Sequence, residues 1–171
     1  QEINIARFYF HTFDEYLIAP VSHREIVLGE AAYGMFKGFV STIVVLAFAL
    51  LFGVKLFLHP FFFVAISLHT FLFAALGITM AMVVRDHASQ AAVTTFAITP
   101  MIFLGRTFFP VDRLPDIFQA VVAMLPLTYS NSVIRASLTG GDINTMHVAV
   151  LIFFSIIFFI SALWALKRVE A

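Results

Sequence analysis

FFPVDRLPDIFQAVVAMLPLTYSNSVIRA, residues 108–136, decides how the chain is read. The stretch lies between long apolar runs, yet it carries Pro110, Pro115 and Pro126 and the charges of Asp112, Arg113, Asp116 and Arg135. It is too polar to cross lipid and too apolar for a plain loop. Phe109 and Pro110 end the preceding run. Asp112 is placed to cap, and Pro115 suits a first helical turn because it has no N–H to satisfy. Over residues 115–125, Phe118, Val121, Val122 and Leu125 share one face, with Asp116 and Gln119 off it. Pro126 breaks the chain, and Thr128 is placed to cap a second short helix ending near Gly140 and Gly141. Each piece of about ten residues is about 15 Å long, so neither spans a hydrocarbon core of about 30 Å. The expectation is a re-entrant hairpin over residues 110–141. It would dip into the outer leaflet and return, its backbone groups satisfied by the surrounding protein. The other reading is a pair of helices lying flat on the membrane.

The rest of the chain supports lipid as the solvent. Of 171 residues, 61% are hydrophobic and 12% charged. Soluble domains have about 45–50% apolar and about 25% charged residues, and a chain this small cannot bury such an apolar excess in one core. Formal net charge is +0, so no net field attracts nucleic acid. Cys 0 excludes disulfides and thiolate chemistry. The chain opens on Gln1, with no basic stretch leading an apolar run. No signal peptide is therefore expected, and the sequence reads as a segment of a longer polypeptide.

Apolar runs at 39–58, 61–84, 88–104 and 148–166 each approach the length of a span. Lipid forces backbone groups to pair within a segment, so helices are expected, and the runs lack the alternation of barrel strands. The expected fold is an all-α polytopic transmembrane bundle. Spans lie over residues 22–58, 60–84, 88–109 and 145–167, and the hairpin over 110–141. The segment SHRE, Ser22 to Glu25, is a capping box that starts the first helix early. Small residues permit close helix packing. Gly34 and Gly38 are such a pair, and Ser67, Thr70, Ala74, Gly77 and Ala81 follow one face.

Before the first span, Ile5, Phe8, Thr12, Phe13 and Tyr16 fall on one side of a helix, with Arg7, His11, Asp14 and Glu15 on another. This predicts an amphipathic helix too short to cross, stopped by Pro20. It reads as an interfacial anchor or as a docking surface for a soluble partner. Basic residues orient the chain: Arg7, Arg24, Lys37, Arg85, Lys167 and Arg168 fall on one side, Lys55, Arg106, Arg113 and Arg135 on the other. The first side is read as cytoplasmic. Both ends then lie inside and residues 108–136 outside. Lys37, at the inner edge of its run, reads as a snorkelling anchor rather than a substrate ligand.

Chemistry within the chain finds little purchase. There is no GxxxxGK[ST] to cradle nucleotide phosphates. His69 lies mid-run without a second His at ligand spacing, and no nucleophile–base spacing is seen.

Three stretches together carry a family likeness: DEYLIAPVSHREIVLGE (14–30), FAITPMIFLGRTFFPVDRLP (96–115) and LPLTYSNSVIRASLTGG (125–141). Their order and spacing resemble the type-2 permease class, the membrane subunits of ATP-binding-cassette transporters. The chain departs from that pattern in Leu125, where Asn is usual, and in Arg106, where small residues are common. Family members have six spans, so this chain would be one permease domain lacking the first two. The resemblance implies a coupling region at 1–21 and contact with an ATPase through Phe13, Asp14, Glu15, Tyr16, Pro20, Ser22 and Glu25. It implies outer re-entrant helices shaped by Phe109, Pro110, Pro115, Pro126, Tyr129 and Arg135. Gly34, Gly38, Ala74 and Gly77 are the helix-packing positions. It also implies no cofactor in this chain, ATP and Mg on a separate cytoplasmic ATP-binding subunit, a permease homodimer among membrane lipids, and a bacterial inner-membrane location. The cargo would be a lipid, polysaccharide or drug-like molecule moved outward. A non-transporting membrane scaffold or assembly subunit is the alternative function.

Overall fold

The computed structural model describes residues 21–84, 87–107 and 116–170. Every element among them is helical. In order they are α1 (His23–Leu51), α2 (Phe61–Val83), α3 (His87–Ile102), a π-helical segment (Phe103–Thr107), α4 (Asp116–Ala123), α5 (Pro126–Thr139) and α6 (Thr145–Glu170). Three helices are long and apolar enough to cross a membrane: His23–Leu51, Phe61–Val83 and Thr145–Arg168. Ser89–Gly105 is a shorter apolar helix. The expectation of four membrane-length spans is thus corrected to three among the described residues. Pro100 lies inside α3, where its missing N–H removes a helical bond. The α-helical geometry then gives way at Phe103.

The first span is shorter than 22–58. The capping box is formed: Ser22 N donates to Glu25 Oε2 (2.6 Å), and Glu25 N donates to Ser22 Oγ (3.4 Å). The helix stops at Leu51, and Gly53 follows in the left-handed region at φ +76. Residues 54–59 have no regular structure before α2.

Helix α2 is the hub, packing against α1, α5 and α6. At one end Val27 and Ala31 of α1 meet Ile78, Ala81 and Met82 of α2 and Ala162, Ala165 and Leu166 of α6. At the other, Ala65 and Leu72 of α2 meet Val133 of α5 and Leu151 of α6. Thr79 and Ser161 share a hydroxyl hydrogen bond of 2.9 Å between α2 and α6. Interhelical bonds of this kind average only about 0.6 kcal/mol in membranes, so close packing holds the bundle. The packing is closest where glycine permits it. A Cβ on Gly34 would sit 2.8 Å from Ala74 Cβ, and one on Gly38 would sit 2.3 Å from Thr70 Cγ2. Gly77 is different, because nothing lies within 4 Å of a Cβ built there. It makes no close approach among the described residues.

No part of the most apolar stretch of α1 is buried. Phe36, Ile43, Val45 and Phe48 all point outward. In a soluble protein such a surface would mark an interface or an aggregation hazard. In this multi-pass membrane protein it is the surface suited to lipid and to neighbouring helices.

Candidate functional site

The opening stretch folds as two short helices with a sharp corner between them. Leu125 is the N-cap of α5 in extended backbone, with Pro126 at the first helical position. Pro126 needs no N–H partner there, and it restricts Leu125 to extended geometry. Thr128 is therefore not the cap; it lies inside the helix, and its Oγ1 donates to Val122 O at 2.7 Å. Tyr129 Oη donates to Ala123 O at 2.6 Å. Both side chains satisfy carbonyls at the end of α4, which a helix terminus otherwise leaves open. Gly140 ends α5 at φ +72.

Helix α5 packs against α2, α6 and the π-helical segment. Pro126, Leu127, Thr128, Ser130, Val133 and Ser137 are buried. Near its start, Ser130 Oγ lies 3.0 Å from His69 Nδ1. The same hydroxyl lies 3.0 Å from Leu127 O, and the imidazole tautomer sets which of Ser130 and His69 donates to the other. The His69 ring also packs on Phe73 at 4.7 Å between centroids. His69 lies in the third turn of α2, about 12 Å along the axis from Phe61. At the other end of α5, Leu138 O accepts from Phe57 N (2.8 Å) and Ser137 O from His59 N (3.1 Å). Helix α5 thus runs antiparallel to α2, with its first turns beside the third turn of α2 and its last beside the connection leading into α2.

The π-helical segment meets the same helix. A π turn shifts backbone bonding from i+4 to i+5 and occurs often at functional sites. Here Gly105 O accepts from Asn131 Nδ2 at 2.7 Å. A Cβ on Gly105 would lie 2.9–3.1 Å from Leu127 side-chain atoms, so the close approach of α5 requires a small residue there. Gly105, Ser130 and Asn131 were not identified from sequence. Their one signal is the SNS cluster, Ser130 to Ser132, within an apolar stretch.

Of the proposed hairpin residues, Pro126 is buried, Tyr129 is half-buried against His147 and Phe154, and Arg135 is exposed. Phe109, Pro110 and Pro115 lie outside the described residues. So do the amphipathic helix and Phe13, Asp14, Glu15, Tyr16 and Pro20. Ser22 and Glu25 form the cap of α1. Among the described residues no group of three or more His, Asp or Glu could hold a metal ion.

Lys37 is not at the edge of its span. Gly34 faces Ala74 and Gly38 faces Thr70, so Lys37 lies level with the α2 turn between those contacts. The middle residue of Phe61–Val83 is Leu72. Lys37 is therefore level with the middle of α2, about 15 Å from either face of a core of about 30 Å centred on that helix. Its four-carbon stem falls well short of that distance. A charged residue at this depth costs about 2.5–3.5 kcal/mol on insertion scales. Lys37 Nζ lies 4.9 Å from the centroid of the Tyr33 ring, a contact that returns about 0.5–2 kcal/mol.

A helical membrane bundle built around a glycine-packed central span, with a short helix wedged beside it, is the class this geometry defines. The ABC-2 type transporter family matches residues 9–139. The chain belongs to that family. Nodulation protein J of Rhizobium leguminosarum bv. viciae is 29% identical over 92% of this chain and 62% of its own length. Nodulation protein J of Sinorhizobium fredii is 38% identical over 43% of this chain and 29% of its own length. The inner membrane transport permease YadH of Escherichia coli is 29% identical over 95% of this chain and 66% of its own length. The chain thus spans less than two thirds of these curated relatives. No solved structure matches it.

Proposed function

We propose that this chain is the membrane subunit of an ABC-type exporter in a bacterial inner membrane. It moves a lipid, polysaccharide or drug-like molecule with energy from a separate cytoplasmic ATPase that binds ATP and Mg, and it works as a permease homodimer. The observation that carries this reading is the packing of α5 against α2. Its first turns bond His69 in the third turn of α2, and its last turns bond residues 57–59. These bonds support reading α4 and α5 as a re-entrant hairpin, which on this proposal shifts between helices without a full span having to move. A relative named as an inner membrane transport permease supports the transport reading. The ATPase docks on residues 5–17, and the capped start of α1 carries the push into the bundle.

Two measurements test this. Asp14→Lys and Glu15→Lys, made together, should reduce co-purification of a co-expressed ATPase at least about tenfold, a loss of about 1.4 kcal/mol. Undiminished co-purification removes the docking surface. The chain holds no cysteine, so single cysteines report sidedness cleanly. Asp142→Cys, on the exposed α5–α6 connection, should react with an impermeant reagent from outside, and Lys167→Cys only from inside. Thr128 is buried and is no reporter. Reversed labelling overturns the orientation.

A further inference from the structure

A cleft of about 340 Å³ opens at the end of the bundle where α2 and α6 begin. The run into α2 supplies Phe57, His59 and Phe61 to its lining, and the run into α6 supplies Asp142 and Thr145. Backbone bonds hold these walls together. Phe57 N donates to Leu138 O (2.8 Å) and His59 N to Ser137 O (3.1 Å). Gly140, at φ +72, turns the chain between α5 and Asp142, and a Cβ built on it would lie 3.7 Å from the Phe57 ring. The three rings form a row, with 6.4 Å between the centroids of Phe57 and His59 and 5.7 Å between those of His59 and Phe61. His59 Nδ1 accepts from Phe61 N at 3.2 Å, and an imidazole accepting at that nitrogen adds no positive charge. Among the described residues no Lys or Arg lines the cleft. It therefore combines aromatic faces with the one carboxylate of Asp142, and both attract an ammonium group.

We propose that this cleft binds the ammonium headgroup of a membrane lipid, phosphatidylethanolamine being the fitting case. Depth points to lipid as the source. Helix α2 begins at Phe61 and α6 at Thr145, and both are long and apolar enough to cross a membrane. The start of such a helix stands where hydrocarbon gives way to headgroups. Size agrees, since about 340 Å³ is at the small end of ligand pockets, which run about 300–1,000 Å³. The cleft suits a headgroup better than a whole transported molecule. Asp142 accepts from the ammonium N–H groups, and the rings cover its methylene arm. The inference goes beyond the transport reading and does not depend on it.

The test is native mass spectrometry of the full chain in detergent, titrated separately with phosphatidylethanolamine and with phosphatidylglycerol of the same acyl chains. The unmodified chain should bind the first at least about fivefold more tightly. Asp142→Asn should remove most of that preference, and Asp142→Glu should keep it. Phe61→Leu keeps the apolar bulk but loses the ring face, and should weaken phosphatidylethanolamine binding about threefold. No preference in the unmodified chain overturns the site. So does a preference that survives Asp142→Asn, or a Phe61→Leu variant equal to the unmodified chain. Free ethanolamine binding as tightly as the lipid overturns the lipid assignment in favour of a soluble amine. A second measurement leaves Asp142 in place and uses a bilayer. Thr145 and Met146 are neighbours, but of the two Thr145 lines the cleft. The labelling rate of Thr145→Cys relative to Met146→Cys, with an uncharged water-soluble maleimide, should fall at least about threefold from phosphatidylglycerol to phosphatidylethanolamine nanodiscs. An unchanged ratio overturns occupation of the cleft by the headgroup.

Discussion

Gly38→Ala should loosen the bundle more than any other single-methyl change in α1. The added Cβ would fall 2.3 Å from Thr70 Cγ2 and 3.1 Å from Thr70 Cβ. Thr70 cannot swing aside cheaply, because it is β-branched and its Oγ1 is bonded to Ile66 O at 2.8 Å. Helix α1 must therefore move away from α2. Overpacking of this kind costs about 1–3 kcal/mol, which for a chain this long lowers Tm by roughly 5 °C. Thr70→Ser removes the clashing methyl, so the double variant should regain most of the loss. A Gly38→Ala chain that melts with the unmodified protein would show that α1 and α2 are not held at this distance. A double variant no better than the single would place the strain elsewhere.

Asn131→Asp should have the second large effect. Asn131 Nδ2 is the side-chain donor to Gly105 O, which lies in the π-helical segment beside α5. A carboxylate cannot donate there, and it brings its own desolvation cost. Asn131→Ala removes the donor alone and should cost about 1–3 kcal/mol. The aspartate variant should be worse at neutral pH and should recover toward the alanine variant once acid protonates the carboxyl. Thermal melts at two pH values check the order. If both variants melt with the unmodified protein, the bond between the π-helical segment and α5 is not what seats the short helix.

What the sequence disclosed follows the range of the interactions involved. The capping box depends on residues three apart, so Ser22 and Glu25 could be read directly. The corner at Leu125 and Pro126 is equally local, since the proline ring dictates it. The Gly34–Ala74 and Gly38–Thr70 contacts were half visible: small residues at four-residue spacing announce a packing face, but not which face opposes it. Gly77 shows the limit, matching the spacing while nothing among the described residues lies within 4 Å of a Cβ built there. The bonds from His69 to Ser130 and from Asn131 to Gly105 join residues far apart in sequence. Nothing in either local pattern names the other partner. The position of Lys37 is a related case. Its depth is set by where α1 stands against α2, and the apolar run that begins at residue 39 is a poor guide to it.

The connection at residues 54–59 carries a mechanical consequence. It leaves α1, gives two of its amides to the carbonyls at the end of α5, and then enters α2. The far end of α1 and the exit of the short helix are thus hitched at one joint. A rocking of α1 about its glycine contacts, started at the capped end, swings the opposite end the other way, as in a see-saw. The strap at Phe57 and His59 would drag α5 along with it. On the proposed function, a stroke delivered on one side of the bilayer would in this way be converted into a displacement of the wedge on the other, with no separate relay between them.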